Sequence, residues 1–93
     1  MDVKLKPEYV FYMPEVKERG ILYLSEEFSL AIHMCACGCD IQTVMNLSNW
    51  GKIPWKDGWN IQIEGDLISF TPSILNSRCG AHYFVEKNEI KWA

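Results

Sequence analysis

Apolar and polar positions alternate along this chain in short runs, and no window keeps a helical period for more than about two turns. Tyr9-Val10-Phe11-Tyr12-Met13 is an aromatic and β-branched run closed by Pro14, which predicts a strand ending at a turn. Glu15 to Arg19 has room for one helical turn, with Pro14 near its start and Gly20 as its stop. Ile21-Leu22-Tyr23-Leu24-Ser25 reads as the next strand. Leu30-Ala31-Ile32-His33-Met34 leads straight into a cluster of cysteines, and Thr43-Val44-Met45-Asn46-Leu47 carries the chain away from it.

Two hairpins follow from turn chemistry. Trp59-Asn60-Ile61-Gln62-Ile63 and Leu67-Ile68-Ser69-Phe70-Thr71 flank Glu64-Gly65-Asp66, where glycine supplies the positive φ of a tight turn. Tyr83-Phe84-Val85-Glu86 and Glu89-Ile90-Lys91-Trp92 flank Lys87-Asn88, and Asn tolerates the left-handed conformation that a two-residue turn needs. The pattern predicts an all-β fold, a small sandwich or open barrel of short strands, with residues 1–93 as one domain. The stretch from Trp50 to Trp59 holds three of the four tryptophans. It reads first as a loop pinned to the core by its indoles, and second as an aromatic surface for a partner.

Composition narrows the function. Hydrophobic residues make up 48% and charged ones 23%, which is globular rather than disordered. The net charge of -3 and the scattered arrangement of nine basic residues argue against a nucleic-acid footprint. No stretch approaches the roughly eighteen apolar residues of a membrane span. The N-terminal segment alternates Asp2, Lys4, Lys6 and Glu8 where a signal peptide would be apolar. The expected location is the cytoplasm, where thiols stay reduced and metal is the better use for cysteine.

All four cysteines lie in two places: Cys35-Ala36-Cys37-Gly38-Cys39, and the start of Cys79-Gly80-Ala81-His82. Zinc takes four sulfur or imidazole ligands in a tetrahedron, and two ligand-bearing loops far apart in sequence satisfy it while clamping the chain. Five candidates are present, Cys35, Cys37, Cys39, Cys79 and His82, and which four bind is open. His33 is a sixth but reads better as an ordinary strand residue. Four protein ligands leave no position for water, so one structural zinc per chain is expected rather than a catalytic one. Iron also suits a sulfur-rich site. Cys79-x-x-His82 resembles the second Rieske motif, yet the first Rieske motif needs Cys-x-His where this chain has Cys35-x-Cys37. The expected site is thus a two-loop one, zinc-ribbon-like or Rieske-like in layout.

At this cluster the chain resembles a bacterial family of short proteins of unknown function. The resemblance rests on His33-Met34-Cys35-Ala36-Cys37-Gly38-Cys39, Trp59, Thr71-Pro72-Ser73-Ile74, Cys79-Gly80-Ala81-His82-Tyr83 and Trp92-Ala93, in that order. It covers most of the chain from Tyr9 onward. Ala36 stands where the family favours Pro, and Asp40 where it favours Gly. The resemblance implies zinc binding by Cys35, Cys37, Cys39, Cys79 and His82. It also implies a genomic setting beside ubiquitin-like modifiers and their conjugating enzymes, in systems linked to phage defence.

The residues alone offer no evident nucleophile–base pair. The expected function is therefore a zinc-stabilised, non-enzymatic module that docks on a protein partner, as an accessory factor in a ubiquitin-like modification system. The alternative is a small zinc-dependent hydrolase acting on a protein modifier, with one ligand displaced by water and Asp40 as its general base.

Overall fold

A computed structural model describes residues 4–93; Asp2, in the alternating N-terminal segment, lies outside them. Nine strands and no helix occur among the described residues: β1 (Lys6–Tyr9), β2 (Ile21–Ser25), β3 (Leu30–Met34), β4 (Gln42–Asn46), β5 (Asn60–Glu64), β6 (Leu67–Thr71), β7 (Ile74–Asn76), β8 (Ala81–Glu86) and β9 (Glu89–Trp92). They form a four-stranded sheet in the order β1-β2-β3-β4, the pair β5-β6, and a three-stranded sheet in the order β7-β8-β9.

The strands form where β-branched and aromatic residues alternate with polar ones. In β8 the alternation is complete: Ala81, Tyr83 and Val85 are buried, while His82, Phe84 and Glu86 face outward. The three sheets share one core. Leu22, Leu24, Ala31 and Met45 meet Ile61, Ile68 and Phe70 from the hairpin, and Ile74, Tyr83, Val85 and Ile90 from the third sheet. Burial of this apolar surface is the main source of stability in so small a protein.

Both expected turns are present. Gly65 sits at φ 62°, and Lys87 and Asn88 at 48° and 70°. Asn88 also ties the two hairpins together, because its Oδ1 accepts from the Ile68 backbone N–H at 2.7 Å and its Nδ2 donates to the Asp66 carbonyl at 2.7 Å.

The N-terminal third departs from the pattern. The first strand is Lys6–Tyr9 rather than Tyr9–Met13, and it pairs with β2 in parallel. Lys6 and Val10 donate their N–H groups to Gly20 and Leu24 of the β2 side. Pro7 therefore stands at an outward position of this edge strand, where its missing N–H costs no ladder bond. Phe11 and Tyr12 lie beyond the strand and stay exposed, stacking edge-to-face at 4.6 Å. Glu15 to Arg19 forms bends, not the expected helical turn. One short segment is too little to repay helix nucleation, and Arg19 is drawn instead to the cysteine turn.

The Trp50–Trp59 loop is pinned down. Trp50 and Trp59 pack against the core, and Trp55 is 44% exposed, with its indole N–H donating to the Phe28 carbonyl at 3.3 Å. Gly51, at φ 92°, lies so close to Ser29 that a Cβ there would overlap the Ser29 hydroxyl.

Candidate metal centre and serine–histidine pair

Strand β3 ends at Met34, and the chain turns back on itself before β4. Cys35 N–H donates to the Ile41 carbonyl at 2.9 Å, and Gly38 N–H donates to the Cys35 carbonyl at 3.2 Å. Gly38, at φ 95°, makes this reversal without a steric penalty. The second loop closes the β7–β8 hairpin, where Cys79 and Gly80 both donate to the Asn76 carbonyl, at 3.2 and 2.7 Å.

The two loops meet. The sulfur atoms of Cys35, Cys37, Cys39 and Cys79 all lie within 4.8 Å of one another. Cys35 Sγ is 3.4 Å from Cys37 Sγ and 3.6 Å from Cys79 Sγ, and Cys37 Sγ is 3.7 Å from Cys79 Sγ. A tetrahedron with metal–sulfur arms of about 2.3 Å has edges of about 3.8 Å, so the thiols are spaced as a metal needs them. The four cysteines are free rather than disulfide-bonded, and they grade from buried Cys35 to exposed Cys37 and Cys79.

The surroundings support the cluster from two sides. Asn76 Nδ2 donates to Cys35 Sγ at 3.0 Å and to Thr43 Oγ1 at 3.0 Å. Such N–H···S contacts orient the sulfur of a metal-binding cysteine. On the other side the Arg19 guanidinium donates to the carbonyls of Cys35, Gly38 and Cys39 at 3.4, 2.7 and 2.5 Å, and to Asp40 Oδ1 at 3.1 Å. One side chain thus fixes three carbonyls of the turn. The Asp40 carboxylate, the general base of the zinc-hydrolase reading, points into solvent with Arg19 as its partner.

His33 is fully buried and stands outside the thiol group. Its Nε2 lies 2.7 Å from the Tyr83 hydroxyl, while its Nδ1 has no partner. Burial lowers His33 to about 4, so the ring is neutral at physiological pH, and burial pushes Tyr83 up to about 12. Both are structural members of the core beneath the cluster.

His82 is placed differently from the other expected ligands. The four-thiol group does not include it. Its ring lies on the outer face of β8, and its Nε2 is 2.7 Å from the Ser73 hydroxyl. The reason is strand register. Leu75 pairs with His82 and Ile74 with Tyr83, so Ser73, just before β7, falls on the same face as His82 and diagonal to it. Trp59 holds Ser73 from behind, its indole N–H donating to the Ser73 carbonyl at 3.4 Å. Ser73 is half-buried and His82 exposed.

This pair overturns the expectation that the chain lacks a nucleophile and base in contact. A serine hydroxyl within hydrogen-bond reach of an imidazole is the minimal unit of serine nucleophilic catalysis. Among the described residues no carboxylate is hydrogen-bonded to His82, so the unit is a dyad. Both residues were visible in the sequence, in Thr71-Pro72-Ser73-Ile74 and Cys79-Gly80-Ala81-His82. Only the β7–β8 register brings them together.

This small all-β chain, with its thiol tetrad and serine–histidine pair, is matched over residues 9–93 by a family model described as a bacterial ubiquitination-like system serine protease. The chain belongs to this family, BubE. No curated relative and no solved structure matches the chain. Among the described residues no helix is long and apolar enough to cross a membrane.

Proposed function

We propose that this chain is a serine peptidase of a bacterial ubiquitination-like system, with Ser73 as nucleophile, His82 as its base, and a zinc-held thiol tetrad as its structural staple. The observation that carries the reading is the 2.7 Å contact between Ser73 Oγ and His82 Nε2 on an accessible face. The family description, a serine protease, supports it.

The chemistry is written with the chain's own groups. Ser73 Oγ attacks the scissile carbonyl while its proton passes to His82 Nε2. The imidazolium then gives that proton to the departing amine, leaving the acyl group esterified on Ser73. Water, deprotonated by the same imidazole, releases the acid and restores the hydroxyl. The natural substrate is a protein modifier, or a protein joined to one, in the system that gives the family its name.

Cys35, Cys37, Cys39 and Cys79 would hold the zinc, which would supply structure and not chemistry. Four thiolates saturate the ion and donate charge to it, which makes it a poor Lewis acid. Its place is decisive all the same. Cys79 and His82 lie on the same short hairpin, so an ion held by Cys79 would fix the loop three residues from the base. On this reading zinc would have a structural role, and Asp40, exposed and paired with Arg19, would have no catalytic one.

A second reading keeps the chain as a non-enzymatic docking module. Its support is the exposed aromatic group of Phe11, Tyr12 and Phe28, whose rings lie 4.6 to 6.2 Å apart. Cleavage of a modifier carrying a C-terminal extension separates the two. Peptidase action requires that Ser73→Ala abolish cleavage with zinc content unchanged; equal cleavage by the variant excludes Ser73 as nucleophile.

A further inference from the structure

Two sheet edges in this molecule face the same cleft with their backbone groups unused. Cys35 N–H bonds Ile41 and Leu47 N–H bonds Ser29, both at 2.9 Å, which fixes the odd-numbered residues of β4 as those bonded to β3. Antiparallel strands alternate, so Gln42 and Val44 turn their N–H and C=O groups the other way, off the edge of the sheet.

The same parity argument applies to β7. Ala93 N–H donates to the His82 carbonyl at 3.0 Å, so the His82 backbone faces β9. Tyr83 and Ala81 therefore bond Ile74 and Asn76, and Leu75 is left with its N–H and C=O pointing away from β8. Val44 and Leu75 are 51% and 61% exposed, large apolar residues left open on edge strands. Such edges are normally blunted by charge or covered.

Between them lies an open cleft of about 280 Å³. Gln42, Val44 and Leu75 line it, Trp59 stands at the end where it holds the Ser73 carbonyl, and Arg78 carries the single charge of the lining. Ser73 shares the outward backbone direction of Leu75, two residues on, so an occupant paired to Leu75 runs toward the serine.

We infer that this cleft binds an extended segment of the substrate polypeptide by strand addition to the β7 edge at Leu75, with the Gln42–Val44 edge of β4 as the opposite wall. Main-chain pairing supplies affinity with little demand on side-chain sequence, which suits a flexible tail of a modifier protein. Arg78, with no carboxylate in the lining, selects an acidic residue in that segment. This inference deepens the peptidase reading and rests on it for the identity of the substrate.

The test measures binding in the Ser73→Ala chain loaded with zinc, so that turnover plays no part. The probe is acetyl-Thr-Val-Thr-Val-Glu-amide, with a second copy N-methylated at alternate residues. Strand addition predicts that the plain peptide shifts the backbone amide resonances of Val44 and Leu75 and slows hydrogen exchange at Leu75. N-methylation weakens binding about tenfold, the worth of one main-chain hydrogen bond. Arg78→Glu weakens binding of the plain peptide in the same assay. Shifts confined to other surfaces, no binding, or equal binding of the N-methylated copy overturns the inference while the loss of cleavage in Ser73→Ala still stands. Cleavage retained by Ser73→Ala, beside peptide binding at Leu75, instead sinks the peptidase reading alone.

Discussion

Cys79 Sγ stands 3.6 Å from Cys35 Sγ, although 44 positions separate the two residues in the chain. The contact brings the tip of the β7–β8 hairpin to the β3–β4 turn, beside the Asn76–Cys35 hydrogen bond, and it joins two thiols that in isolation attract each other only weakly. An ion held by both loops would turn this meeting into a staple.

Chelation should therefore unsettle the fold. We expect one zinc per chain in metal analysis, and a fall in Tm of about 10 °C or more when the ion is stripped, since a small domain loses roughly 4–8 °C per kcal/mol. Cys79→Ser should lose zinc in the same assay. An apoprotein with unchanged thermal unfolding contradicts the staple.

Asn76 lies outside the tetrad but donates to Cys35 Sγ at 3.0 Å. Asn76→Ala removes that donor and leaves Thr43 without its partner. Groups in this position typically tune affinity by about 10- to 100-fold. Competition against a chromophoric chelator should report a weakening in that range, with far-UV circular dichroism unchanged.

Arg19 and Asp40 form an ion pair whose two halves should behave unequally. Arg19→Ala frees the carbonyls of Cys35, Gly38 and Cys39 and should speed zinc exchange, measured with labelled metal. Asp40→Ala removes only an exposed carboxylate and should leave stability within about 0.5 kcal/mol and cleavage intact. Loss of cleavage in Asp40→Ala, with zinc retained, revives a metal-hydrolase mechanism.

The buried His33–Tyr83 contact is a stability device. Tyr83→Phe leaves His33 Nε2 without a partner beside an Nδ1 that already lacks one. Stranding a buried polar group costs about 1–3 kcal/mol, so chemical denaturation should show a loss of that order. No change indicates that water reaches the ring.

Much of the fold was legible because local pattern decides it. Ile21–Ser25, Leu30–Met34, Leu67–Thr71 and Glu89–Trp92 are strands at the positions their β-branched and aromatic residues predict. The turns at Gly65 and Lys87-Asn88 follow from residues that accept positive φ. The thiol group was legible for a similar reason, since cysteines at 35, 37 and 39 are hard to account for by packing. What local pattern did not reveal depends on pairing between segments. Strand β1 carries Pro7 and mostly polar side chains, and only its parallel docking on β2 makes it a strand. Strand β7 spans three residues, too few for alternation to register. His82 is one of five candidate ligands by its spacing from Cys79, and only the register of β7 with β8 shows that its ring lies beside Ser73.

The account depends above all on the reactivity of one hydroxyl. Intact-mass and peptide mapping after treatment with a fluorophosphonate probe reads this directly, because the reagent marks serines whose neighbouring base has made them nucleophilic. The account predicts a single adduct on Ser73 of the zinc-loaded protein, absent in Ser73→Ala and strongly slowed in His82→Gln. An unlabelled native protein, or labelling of Ser73 at the same rate without the imidazole, contradicts it.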